Sequence, residues 1–249
     1  ALNALYVRYH EEEEKNPELA DEARDWFRRQ EEGDPEAIDL WKKIRETSLD
    51  YFKVIYERLP VRFDHYTGES FFNDKMDAVL DRAEELGLTS VSDGAVVIDL
   101  EPHGIDTPAL LRKADGATLY MTRDLAAAGY RQETYKFEKL LYVVGTAQSL
   151  HFRQLFKILE LMGESWAEDC AHVNFGLVQG MSSRKGNVIY LEELLDEARR
   201  RAREYMNANV DKRPDLEDEE DVAEAVGIAA IFFSDLSKQR IKEDRKSGV

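Results

Sequence analysis

The chain has 249 residues, enough for one large domain or two small ones with a substantial core. Its 34 basic and 51 acidic residues give a net charge of −17, which excludes a nucleic-acid grip built on overall charge and leaves that work to a local basic patch. Cys170 is the only cysteine, which excludes an intrachain disulfide and a thiolate metal cluster and suits a reducing cytoplasm.

No run of about 18 apolar residues marks a transmembrane helix, and the first residues lack the basic-then-apolar pattern of a signal peptide. The five histidines are scattered, with no metal-ligand pair at helical spacing, so no metal site made of side chains is expected.

Residues 1–59 read as helical. Asn16-Pro17 and Asp34-Pro35 each place an N-cap before a proline suited to the first helical position. The second pair opens a long helix carrying Ile38, Trp41, Ile44, Leu49, Phe52 and Tyr56. D-H-Y-T-G-E-S, from Asp64 to Ser70, is a polar turn between a strand and a helix, with Gly68 in the turn and Ser70 as N-cap. Residues 71–86 form the next helix, closed by Gly87. Ser92-Asp93-Gly94 between apolar stretches predicts a small hairpin within 91–100, and 101–104 is a loop.

From there strands and helices alternate. Residues 117–122 read as a short strand or extended segment and 123–131 as a helix. Residues 140–144 read as a buried strand ending at Gly145, 148–162 as a helix closed by Gly163, and 171–178 as a strand. Such alternation predicts a parallel sheet, whose ligands sit beyond the carboxyl ends of the strands. Gly145-Thr146-Ala147-Gln148 and residues 179–187 lie there. A helix follows from Leu191. Residues 212–221 form an acidic connection. Val222, Ala225, Val226, Ala229, Phe232, Phe233 and Leu236 then fall on one helical stripe that needs a partner.

Four segments could carry chemistry. Gly180-Met181-Ser182-Ser183-Arg184-Lys185-Gly186-Asn187 packs two hydroxyls and two cations between glycines, an array suited to a polyphosphate; a solvated basic loop is the plain alternative. If 120–128 is helical, Tyr120 and Asp124 share a face one turn apart and can grip a guanidinium. The alternative is an acid placed in a first helical turn by the dipole. Gln148 and His151 open a helix after a buried strand, where they orient a substrate or serve the fold. The run 198–203, A-R-R-R-A-R, is either the local nucleic-acid patch or the solvated face of a helix.

The segments F-D-H-Y-T-G-E-S, L-L-R-K-A-D-G-A-T-L-Y-M-T-R-D-L-A-A-A, L-L-Y-V-V-G-T-A-Q-S-L-H-F and H-V-N-F-G-L-V-Q-G-M-S-S-R-K-G-N occur in this order. Together they resemble the arginyl-tRNA synthetases of class I, over roughly residues 5–242. The resemblance implies an α/β fold: part of a Rossmann-like parallel sheet with a mostly helical insertion. It implies an insertion (connective) region over 1–115 with a small hairpin, the second half of the catalytic domain with the phosphate loop over 116–210, and a C-terminal helical segment over 211–249.

The same resemblance implies ATP-dependent activation of arginine and its transfer to tRNA, with Mg²⁺ arriving on the ATP. Tyr120, Asp124 and Gln148 match the arginine-recognising positions. Gly145, His151, Val178 and Lys185 lie by the nucleotide, and Ser182, Ser183, Arg184 and Lys185 match the catalytic loop over the phosphates. The sequence departs from the family pattern from Glu243 onward and contains no H-x-G-H signature. An incomplete catalytic domain is therefore expected, inactive alone and associating with a companion chain or with itself. A non-catalytic module binding a nucleotide, a tRNA or a protein is the alternative. A third reading, another class I synthetase or adenylyl transferase, lacks a use for the Tyr120, Asp124 and Gln148 set.

Overall fold

The computed structural model describes residues 2–176, 189–210 and 217–241. They fall into two compact units, Ala1–Asp64 with Val178–Gln239, and His65–Leu177 with Arg240–Val249.

The first unit is helical. Helices α1 (Leu2–Glu13), α2 (Glu18–Glu31) and α3 (Pro35–Arg58) account for the residues expected to be helical. Asp34 caps α3 by accepting the Ala37 amide at 2.9 Å, with Pro35 in the first turn, as the sequence predicts. At α2 the Asn16 side chain accepts the Glu18 amide instead, at 3.3 Å.

Helix α7 (Leu191–Ala208) packs on α8 (Glu219–Leu236) through small residues. A Cβ on Gly227 would stand 2.8 Å from the backbone carbon of Ala198 and the amide nitrogen of Arg199. The buried face of α8 is thus Ala223, Gly227 and Ile228. The expected stripe is left largely to solvent: of its members only Val222 packs against a core cluster, and Phe233 and Leu236 are 76% and 80% exposed. Apolar residues surround α8, so periodicity alone admitted two faces, and close backbone approach selected the smaller side chains. Replacing Gly227→Ala is expected to push α7 and α8 apart and cost about 1–3 kcal/mol; a thermal melt unchanged within 1 °C would contradict that packing.

The second unit carries both sheets. Strands β1 (Thr89–Ser92), β2 (Ala95–Ile98) and β3 (Ala109–Arg112) form an antiparallel meander. Its hairpin turns at Asp93 and Gly94, whose φ values of 50° and 80° suit the mirror-image turn that matches strand twist. The residues at 117–122 are not a strand of the parallel sheet. Asp115 and Gly116 fold the chain back, Thr118 makes one antiparallel bridge to Arg112, and helix α5 (Tyr120–Tyr135) starts directly. The expected 71–86 helix begins as a 3-10 turn at Glu69–Lys75 and becomes α4 (Met76–Glu85); Gly68, not Ser70, stands at its cap, and no strand precedes it.

The parallel sheet is the pair β4 (Leu140–Gly145) and β5 (Cys170–Phe175), in register from Leu140–Cys170 to Gly145–Phe175. Helix α6 (Ser149–Leu161) crosses between them. Leu125, Ala128, Phe152, Leu155, Ile158 and Leu159 from α5 and α6 share a core with Ile98, Leu100 and Leu111. Thr122, fully buried, donates its hydroxyl to the Leu111 carbonyl at 2.6 Å and fixes the start of α5 against β3. The fold is therefore mixed α/β, mostly helical, with a small parallel sheet. Among the described residues no helix is long and apolar enough to cross a membrane.

Candidate functional site

Two helix N-termini meet at the carboxyl end of β4. Helix α5 begins at Tyr120, so Tyr120 and Asp124 lie one turn apart on one face, as the spacing requires. No acid occupies the first turn of α5. The dipole therefore does not explain Asp124. Its carboxylate meets a side chain instead: His151 Nε2 lies 2.7 Å from Asp124 Oδ2. An ionised carboxylate only accepts, so Nε2 carries the proton. Gln148 precedes α6 and makes no side-chain cap hydrogen bond. It stands three residues before His151, on the same side of the helix.

Tyr120, Asp124, Gln148 and His151 all line one cavity of about 540 Å³, together with Glu69, Arg131, Tyr142, Val144 and Phe152. The volume suits a small-molecule ligand. A larger cavity of about 780 Å³ lies by Cys170, at the amino end of β5, and contains none of the four. Burial pushes the Cys170 thiol up to about 11, so it is no ready nucleophile.

The cavity has a polar gradient. At the mouth Tyr120 is 64% exposed, with the Arg123 guanidinium 5.8 Å from its ring centre. Arg123 is itself tied to Glu69 at 3.1 Å. Deeper, Arg131 lies 5.7 Å from the Phe72 ring and 5.6 Å from the Tyr142 ring, with Nη1 3.4 Å from the Tyr142 hydroxyl. Burial raises the Tyr142 phenol to about 12, so it stays neutral as donor and acceptor. Arg131 follows Asp124 by seven residues, roughly 10 Å along the helix. A cationic group entering the cavity is drawn to Asp124 and repelled from the Arg131 end.

Glu69, Arg131 and Tyr142 were not singled out by the sequence. Arg131 was legible in principle, because seven residues return to the Asp124 face of a helix; Glu69 arrives from a distant turn and carries no local signal. Gly145 stands next to the cavity with an ordinary φ of −57°, and a Cβ there would meet only Phe175 at 4.0 Å. Val178, Ser182, Ser183, Arg184 and Lys185 lie outside the described residues.

The basic run on α7 is neutralised locally. Arg200 pairs with Glu197 and Glu204, Arg201 with Glu197, Arg203 with Glu219 and Glu220, and Arg199 with Asp196 and Glu224. Hydrogen bonds from Arg200 and Arg201 hold the Glu197 carboxyl down at about 2. The run thus reads as a solvated, salt-bridged helix face rather than a free cationic patch.

Residues 1–245 match the family described as tRNA synthetases class I (R), catalytic domain. An arginine–tRNA ligase of Halothermothrix orenii is 52% identical over 243 residues, covering 96% of this chain and 42% of that protein. An arginine–tRNA ligase of Ligilactobacillus salivarius is 51% identical over 244 residues, covering 96% of this chain and 43% of that protein. The chain therefore spans less than half the length of these curated relatives. The crystal structure of the arginyl-tRNA synthetase from Plasmodium falciparum matches with a TM-score of 0.79 at 24% identity, over 93% of this chain and 39% of that one, a likeness of fold. With the family matched along nearly its whole length, the chain belongs to the class I (R) tRNA synthetases, within their catalytic domain.

Proposed function

We propose that these residues supply the arginine site and the phosphate loop of an arginine–tRNA ligase, an enzyme that activates arginine with ATP and transfers it to tRNA in the cytoplasm. The observation that carries this reading is the convergence of Tyr120, Asp124 and Gln148 on one cavity in a chain so similar to arginine–tRNA ligases. Asp124 takes the guanidinium through charge-assisted hydrogen bonds, while Tyr120 and Gln148 orient the side chain. The arginine carboxylate then attacks the α-phosphorus of ATP, and pyrophosphate leaves. Gly145, at the carboxyl end of β4, and Val178 flank the nucleotide. Ser182, Ser183, Arg184 and Lys185 stabilise the charge on the leaving pyrophosphate. Mg²⁺ would arrive on the ATP phosphates and share their charge.

In this reading, 1–115 is the connective insertion, 116–210 the catalytic half-domain and 211–249 a helical extension. Turnover needs further polypeptide, whether in the same chain, in a companion chain or in a second copy; the relatives are more than twice as long as the matched region. The expected result is no arginine-dependent pyrophosphate exchange from the 249-residue chain alone, and exchange once a segment carrying H-x-G-H is supplied. Exchange by the chain alone would overturn the dependence. Persistent silence with that segment bound would favour a non-catalytic module.

A further inference from the structure

His151 stands in the cavity, yet its hydrogen bond runs to Asp124 rather than outward to an open space. Several features hold it there. It sits in the first turn of α6, and its ring meets Phe152 edge-on at 5.3 Å and 85°. Phe152 is buried and packs against Tyr142 at 4.8 Å and against His172 at 4.4 Å. His172 in turn is tied to the Val144 carbonyl at 2.9 Å. The imidazole is thus backed by the strand wall. Asp124 has no comparable brace: it is one helical turn from an exposed tyrosine, and its side chain is 34% exposed. A carboxylate free to rotate loses entropy when it clamps a planar guanidinium, and one already held by a donor does not.

We propose that His151 is a positioning residue for amino-acid recognition: its Nε2–H fixes Asp124 through Oδ2, so that the carboxylate meets an incoming guanidinium in one orientation. The inference rests on the arginine reading of the cavity. It places His151 on the amino-acid side of the reaction rather than against the nucleotide. A carboxylate has room for both partners, with about four acceptor positions on its two oxygens. The histidine therefore stays bonded while arginine binds, and the site discriminates by charge as well as by shape.

The test uses the 249-residue chain, since every residue lining this cavity belongs to one compact unit within it. L-arginine and its neutral analogue L-citrulline are titrated by NMR into the unmodified chain and into the His151→Phe, His151→Gln and Asp124→Asn variants. Spectra without ligand report whether each variant is folded. Loss of a hydrogen bond to a charged group predicts arginine binding weaker by about tenfold or more in His151→Phe. Citrulline should change little, and His151→Gln, which keeps an N–H donor, should restore most of the arginine affinity. Equal or tighter arginine binding in His151→Phe, with binding lost in Asp124→Asn, would overturn the positioning role and leave the arginine site standing. Unaltered arginine binding in Asp124→Asn, or none in the unmodified chain, would overturn the arginine reading and this inference with it.

Discussion

Replacing Asp124→Ala in the catalytically complete enzyme is expected to raise the arginine KM about 100-fold or more while the ATP KM moves little. Truncating one partner of a hydrogen-bonded charge pair costs on the order of 2–5 kcal/mol, because the other charge is left without its counter-ion. Asp124 is about one-third exposed, so solvent screening places the loss toward the lower end, near 100-fold. Steady-state kinetics with each substrate varied in turn checks the split. An arginine KM within a few-fold of the unmodified enzyme would remove Asp124 from the guanidinium.

Lys185→Ala is expected to slow adenylate formation by about 100-fold and to weaken ATP binding far less. In the proposed reading Lys185 acts on charge that is greatest as the bond to pyrophosphate breaks, and removing one such preorganised group costs about 10²–10³ in rate. Single-turnover measurement of adenylate formation at saturating ATP separates the two effects. A constant rate with lowered ATP affinity would make Lys185 a ground-state contact only.

The parts legible in the sequence were those set by local chemistry. The Asp34-Pro35 cap and the Asp93-Gly94 hairpin each carry their physical cause within a few residues; β4 is a strand as its apolar run predicts, but not the buried one expected, with Leu141 55% and Val143 67% exposed. The Tyr120 and Asp124 spacing was legible for the same reason, once residues 120–135 were helical. What the sequence concealed depended on distance in space. Residues 117–122 alternate like a strand, and only the turn at Asp115 and Gly116 shows why the segment stops at one bridge to Arg112. The packing face of α8 is chosen by contact with the Ala198 backbone, which no periodicity records. The hydrogen bond of His151 to Asp124 spans 27 residues, which no local pattern records. The arginine run on α7 looked cationic because its acidic partners sit at three and four residues along the same helix or on α8.

The central claim is that the cavity between the starts of α5 and α6 reads arginine through Asp124. A crystal structure of the chain grown with L-arginine tests it most directly. The account predicts the guanidinium about 2.7–3.0 Å from the Asp124 carboxylate, with Tyr120 and Gln148 in contact and the His151 bond retained. Arginine bound elsewhere, or with its guanidinium turned away from Asp124, would contradict it.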